Sequence, residues 1–276
     1  AGCGKKTARQ AENQEASNST RDKPAERTDW TEQDVHAALA HANADYNGRA
    51  ALRIKDGRVI ALELTGTGIT DLLGLKAMGI RALDARGIPV SDLTPLRGLP
   101  LQLLFLEDTL IEDLTPLKGM KLKELYLNNT KVKDLTPLEG MPLEILNLLG
   151  TPVQDVSPLR DAPLKFLWLN ETSLSDISAL SKCPLVSLTL HKTQVEDLSA
   201  LSGTSLQRLH IGETPVTDLT PLEGMKLVRL IFTPGRIEKG IEIARNMESI
   251  KEIGTTLEGR MPPQYFWALY DEGALE

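Results

Sequence analysis

Aliphatic residues recur along most of this chain with a period of 21. Val59, Ile80, Leu101, Leu122, Leu143, Leu164, Leu185, Leu206 and Leu227 each open a unit, with no insertion or deletion between them. The fourth position is leucine throughout, from Leu62 to Leu230, and the sixth, eleventh, fourteenth and seventeenth are almost always aliphatic. One unit is too small to bury that set, whereas stacked neighbours share it, so the pattern predicts a solenoid.

From the first to about the seventh position apolar and polar residues alternate, as in Leu125-Tyr126-Leu127, which is the period of a short strand with one buried face. Nine such strands in parallel, roughly 4.8 Å apart, would make a sheet about 40 Å long. The ninth position is usually threonine (Thr67, Thr109, Thr130, Thr151, Thr172, Thr193, Thr214), whose hydroxyl is expected to bond backbone where the chain leaves the strand. Thr94-Pro95, Thr115-Pro116, Thr136-Pro137, Ser157-Pro158 and Thr220-Pro221 pair an N-cap residue with proline at the first helical position. Gly98, Gly119, Gly140 and Gly224 follow so closely that only single 3-10 turns fit.

The run L-x-x-L-x-L-x-x-T-x-V-x-D-L-T-P-L resembles the leucine-rich-repeat family, in the short-repeat class that includes internalins, over residues 59 to about 232. The resemblance implies an α/β solenoid: a curved arc with a parallel concave sheet and 3-10 turns on the convex side. It also implies macromolecular recognition on the concave face. Two departures stand out. Threonine replaces the family's usual Asn or Cys at the ninth position, and Ile88 and Gly235 interrupt even that.

Exposed solenoid ends would leave core open to water, so caps are expected at residues 30–58 and 233–276 around repeats at 59–232. Trp30-Thr31-Glu32-Gln33-Asp34-Val35 predicts a capping box and staple, opening a helix from Glu32 to about Ala42. Asp56-Gly57 marks a two-residue hairpin into the first repeat. Ile237, Ile241 and Ala244 lie at helical spacing, and the aromatic stretch from Pro262 to Tyr270 reads as a lid on the last coil. Phe266-Trp267 with Tyr270-Asp271-Glu272-Gly273 resembles the end of leucine-rich segments attached to some bacterial serine/threonine kinases. No kinase motif occurs on this chain.

The chain is 41% hydrophobic but only 4% aromatic, with a formal charge of -7 and acidic residues scattered along the repeats, which leaves no footprint for nucleic acid. No apolar run reaches the roughly 18 residues of a membrane helix. Ala1-Gly2-Cys3 resembles the end of a bacterial lipobox, with Cys3 as the lipid-attachment residue, and the start at Ala1 suggests that something was removed upstream or that the chain is a fragment. Residues 4 to 28 contain no Leu, Ile, Val, Phe or Met, so residues 1–29 read as a flexible tether spanning roughly 25 to 30 Å. Membrane contact is then expected only through that lipid, at the bacterial envelope facing periplasm or exterior.

Candidate chemistry is sparse. Cys3 and Cys183 stand far apart, and no HExxH, GxSxG or glycine-rich phosphate loop is present, so neither enzyme, metal site nor cofactor is expected. Asp71, Asp92, Asp113, Asp134, Asp155, Asp176, Asp197 and Asp218 fill the thirteenth position; they are read as bonding backbone amides at their turns, against a cation ladder. His191 and His210 should face the concave side roughly 8 Å apart. With Glu171 and Glu213 they suggest a metal cluster, but Glu171, Lys192 and Glu213 read better as paired surface charge.

The expected partner site is concave: Leu103, Phe105, Tyr126, Ile145, Leu149, Phe166 and Trp168, apolar groups at positions that should face solvent. Trp168 and Tyr126 would be anchors, with Arg208, Arg229, Glu107 and Glu124 as a charged rim. The competing reading is that the rings merely stack along the sheet. The expected function is a non-enzymatic, monomeric protein-binding module. The alternatives are carbohydrate binding, with Asn128, Asn147 and Asn170 beside the rings, or a purely structural envelope role.

Overall fold

The computed structural model describes residues 27–275. Cys3, expected to carry a lipid, and the expected tether up to residue 26 lie outside the described residues. Helix α1 runs Glu32–Ala42, with the Thr31 hydroxyl accepting from the Asp34 amide and the Asp34 carboxylate accepting from the Thr31 amide. Trp30 and Val35 are both buried, as the staple requires. Asn43, also buried, fastens this cap to the first coil: its side-chain amide donates to the Leu39 and Asp71 carbonyls, and its oxygen accepts from the Thr70 and Asp71 amides.

Strands β1 (Ala51–Lys55) and β2 (Arg58–Glu63) form an antiparallel hairpin. Its two turn residues, Asp56 and Gly57, have φ of 50° and 68°, the pair of positive angles that a two-residue hairpin of this twist needs. A side chain at Gly57 would collide with the Thr28 carbonyl.

From β2 the chain climbs in register through β3 (Ala82–Asp84), β4 (Leu103–Phe105), β5 (Glu124–Tyr126), β6 (Ile145–Asn147), β7 (Phe166–Trp168), β8 (Ser187–Thr189), β9 (Arg208–His210) and β10 (Arg229–Ile231). All are parallel, with leucine beside leucine at each step. Two findings differ from expectation. The sheet holds eleven strands, because β1 and a parallel β11 (Glu252–Gly254) extend it. From β3 to β10 each repeat strand is three residues long, the third to the fifth position, where about seven were expected; only β2, paired in the hairpin, is longer.

The strands are short because the eighth position turns into the left-handed region. Gly66, Gly87 and Gly150 do so freely, but Asp108, Asn129, Glu171, Lys192 and Glu213 also adopt φ of 56° to 58°, which costs a non-glycine residue about 1 kcal/mol or more. The turn aims the amides from Gly87 to Lys192 at the seventh-position carbonyl of the next coil, as in Asn129 to Leu149 at 2.9 Å and Glu171 to His191 at 2.8 Å, while Glu213 donates to the Thr233 hydroxyl at 2.8 Å. Next, each ninth-position threonine is buried, its hydroxyl donating to the carbonyl three residues back at 2.5 to 2.8 Å.

The 3-10 turns lie where expected, for example Thr136–Leu138 and Thr220–Leu222. The capping group differs. Thr and Ser of the Thr-Pro and Ser-Pro pairs sit inside the turn and make no cap bond; the acceptor is the Asp two residues earlier, at 2.7 to 2.8 Å from the amide in all eight units. Those amide and hydroxyl bonds hold the carboxyls of Asp92, Asp113, Asp134, Asp176 and Asp218 below the usual range. The row is therefore consumed by local structure.

At the far end, helix α2 (Ile241–Arg245) and helix α3 (Pro263–Asp271) close the arc. Phe266 of α3 is fully buried, its ring 5.8 Å from that of Phe232, and Ile253 of β11 exchanges both backbone bonds with Met261. Arg245 stacks over Trp267 at 4.8 Å and pairs with Asp271 at 2.6 Å. The aromatic stretch thus lies on the last coil as a helix.

Leu146→Ala should cost about 3 kcal/mol in urea unfolding, since Leu146 is fully buried and the cavity spans two coils. Lys192→Gly should raise stability by about 0.5 kcal/mol, whereas Thr193→Val, which strips a buried hydroxyl bond, should lower it by about 1 to 2 kcal/mol.

Candidate functional site

Each strand sends its fourth residue into the core and its third and fifth to the concave face. Leu103, Phe105, Tyr126, Ile145, Leu149, Phe166 and Trp168 all come out half-buried, more shielded than the open positions expected. Part of that shielding is mutual. The Phe105 and Tyr126 rings stack at 4.6 Å and Phe166 and Trp168 at 6.2 Å, while the Arg86 guanidinium lies 5.2 Å over Phe105. Phe105 and Tyr126, on neighbouring strands, stack along the sheet as the competing reading has it, whereas Phe166 and Trp168 share one strand. Asn147 interrupts the fifth-position row between Tyr126 and Trp168, its side-chain oxygen accepting from the Leu149 amide at 3.1 Å.

The expected rim is uneven. Arg208 is exposed. Arg229 is tied to Glu252, which Arg260 also contacts, and Glu124 accepts from the Tyr126 hydroxyl at 3.3 Å. Burial and the neighbouring Glu124 carboxylate push that hydroxyl above its usual range. Glu107 is buried, only 9% exposed; burial raises its pKa, and one carboxyl oxygen has no partner.

Sequence reasoning set Asn128 and Asn170 beside the rings but missed their packing, and gave Thr189 no part. The side-chain oxygens of Asn128 and Asn170 and the Thr189 hydroxyl are buried and lack hydrogen-bond partners. The seventh-position spacing places the two asparagines on the face, but only side-chain packing reveals that their oxygens are shut away from water.

His191 and His210 are closer than expected, their rings stacked at 4.8 Å. The His191 Nδ1 proton is donated to the Gly212 carbonyl at 3.0 Å, and its Nε2 lies 3.7 Å from Glu213. His210 is 6% exposed and neither ring nitrogen has a partner; burial, reinforced by His191, drops its pKa from 6.5 to about 4. Among the described residues no group of three His, Cys, Asp or Glu is placed to hold a metal ion. Cys183 is buried, its thiol raised by burial and directed at the Leu159 carbonyl. No helix among the described residues is long and apolar enough to cross a membrane.

No protein-family model matches the chain, and no curated protein does either. Solved structures do. Internalin C2 from Listeria monocytogenes aligns over 77% of this chain and 100% of its own, with 22% identity and a TM-score of 0.60. An internalin, internalin F, from the same organism covers 80% of this chain and 74% of its own, with 21% identity and a TM-score of 0.55. A plant ice-binding protein covers 72% and 80%, with 14% identity and a TM-score of 0.56. At these identities the likeness establishes the fold, a short-repeat leucine-rich-repeat solenoid of the internalin type.

The buried His210 sets a pH dependence. The unfolded chain takes up its proton near pH 6.5 and the folded chain near pH 4, so stability should fall as pH drops through that window, by up to about 3 kcal/mol. Thermal unfolding at pH 4.5 and 7.5 tests it: His210→Phe should show a clearly smaller difference than the wild type.

Proposed function

We propose that this chain is a non-enzymatic binding module that holds a protein partner on its concave face, anchored at the bacterial envelope through a lipid on Cys3. The observation that supports the docking half is the row of half-buried aromatic and aliphatic groups on β4 to β7, from Leu103 to Trp168, whose outer faces are apolar. A patch of this kind on an open sheet face fits an interaction surface, and Tyr and Trp give large contact area at little loss of side-chain freedom. Trp168 and Tyr126 would be the anchors. The stacking of Phe105 on Tyr126 and of Phe166 on Trp168 fixes the rings before a partner arrives, which lowers the ordering cost of binding. The anchoring half rests on Ala1-Gly2-Cys3 and the apolar-free stretch behind it.

Affinity capture from an envelope extract tests docking. A protein retained by the wild type and lost by a folded Phe105→Ala, Tyr126→Ala, Trp168→Ala triple variant supports it. Equal recovery by both would mean that the rings serve packing alone, and glycan binding lost with Trp168→Ala would favour a carbohydrate instead. Expression behind a bacterial lipoprotein signal sequence tests the anchor: wild type should fractionate with membranes and Cys3→Ser should be released.

A further inference from the structure

The concave face has two regularities that bear on what the partner presents. Tyr126-Leu127-Asn128 on one coil and Trp168-Leu169-Asn170 two coils later place an aromatic ring and an asparagine in the same two rows, with Asn147 and Leu149 forming the lower step between them. Both asparagine oxygens are buried and unpartnered, and the Trp168 indole N–H forms no hydrogen bond among the described residues. At roughly 4.8 Å per coil the two dyads repeat after about 9.6 Å. A polyproline-II helix makes one turn of three residues in about 9.3 Å, with its backbone groups free of internal hydrogen bonds. An extended β-strand brings the same face round every two residues, about 6.8 Å, and does not match.

The second regularity is charge. Over the first four coils the third, fifth, seventh and eighth positions carry Glu63, Asp84, Glu107, Asp108 and Glu124 against one cation, Arg86, which already binds Asp84 at 2.6 Å. Over coils seven to nine the same positions carry Lys192, Arg208 and Arg229 against Glu213, with Arg229 already paired to Glu252 of β11. The apolar row from Leu103 to Trp168 begins within the acidic coils and stops short of the basic ones, so the face is bipolar along the arc and favours an occupant with the opposite polarity.

Building on the docking reading above, we propose that the partner presents a proline-rich polyproline-II segment that lies along the arc, basic flank over β2 to β5 and acidic flank over β8 to β10. Residues i and i+3 of the segment lie over Asn128 and Asn170, whose side-chain N–H groups donate to free carbonyls of the segment, since their oxygens are closed to an outside donor. Prolines between them pack on Tyr126, Leu149 and Trp168, and a segment carbonyl accepts from the Trp168 indole. A cationic side chain at the basic flank lies against the carboxylates of Glu63 and Glu124. A preformed helix of this kind loses little freedom on docking.

A fluorescein-labelled peptide of two lysines, three Pro-Pro-Ala triplets and two glutamates is the probe, against a control in which each Pro-Pro is Gly-Ser at the same charge. Anisotropy should saturate for the first, at least about ten-fold more tightly than for the control. Trp168→Ala and Asn170→Ala, each with a wild-type unfolding temperature, should weaken binding about ten-fold, and Trp168→Phe less. No saturation up to about 1 mM, or equal binding of both peptides, overturns the proposal. If capture of a partner still depends on the concave rings in that case, docking stands and only this occupant is wrong; if capture fails as well, the docking reading itself is lost.

Discussion

Every coil of this protein depends on its neighbour for backbone hydrogen bonds. The sixth-position amide donates to the fifth-position carbonyl of the next coil, as from Leu127 to Asn147, while the second- and third-position amides both donate back to one carbonyl of the coil before, as from Lys123 and Glu124 to Gln102. A strand of three residues has no stability alone. It persists because leucine stacks on leucine beneath it and because the pairing repeats without a register shift. That constraint explains why the period never departs from 21: one residue more would turn the inward leucines outward.

The same constraint accounts for the buried polar groups. A coil that must close on itself within 21 residues cannot bond all its backbone groups to neighbours, so side chains fill the remainder. Thr130 takes up the Leu127 carbonyl, and Asp134 the Thr136 amide. Asn43 performs both functions at once where α1 joins the first coil, donating to two carbonyls and accepting from two amides. Polar rows that look like chemistry in the sequence are in this way spent on architecture, which leaves the third, fifth and seventh rows as the variable surface.

Most of the fold was legible because periodicity and capping act locally. Thr31 and Asp34 formed the expected box, Asp56-Gly57 the expected turn, and the thirteenth-position aspartates bonded their own turns. What escaped depends on geometry between coils. Strand length is set by the left-handed eighth position, and nothing in a lysine or glutamate such as Lys192 or Glu171 announces that conformation. The sheet's eleventh strand, Glu252–Gly254, falls after the repeat pattern has ended and owes its place to pairing with β10 and to Met261. His210 looks like a surface residue by row, yet the ring of His191 covers it. The site residues reached the expected face, but the orphaned oxygens of Asn128 and Asn170 are a matter of packing that spacing does not encode.

Because both caps close on ordinary coils, arc length is set by copy number alone. Duplication or loss of one 21-residue unit between Tyr126 and Trp168 would leave the capping contacts of Asn43 and Phe266 intact, and would move the acidic end relative to the basic end by one coil, roughly 4.8 Å. The gene for such a chain can therefore retune the span of its face in whole steps, like a ruler with one graduation per repeat, without re-solving the fold.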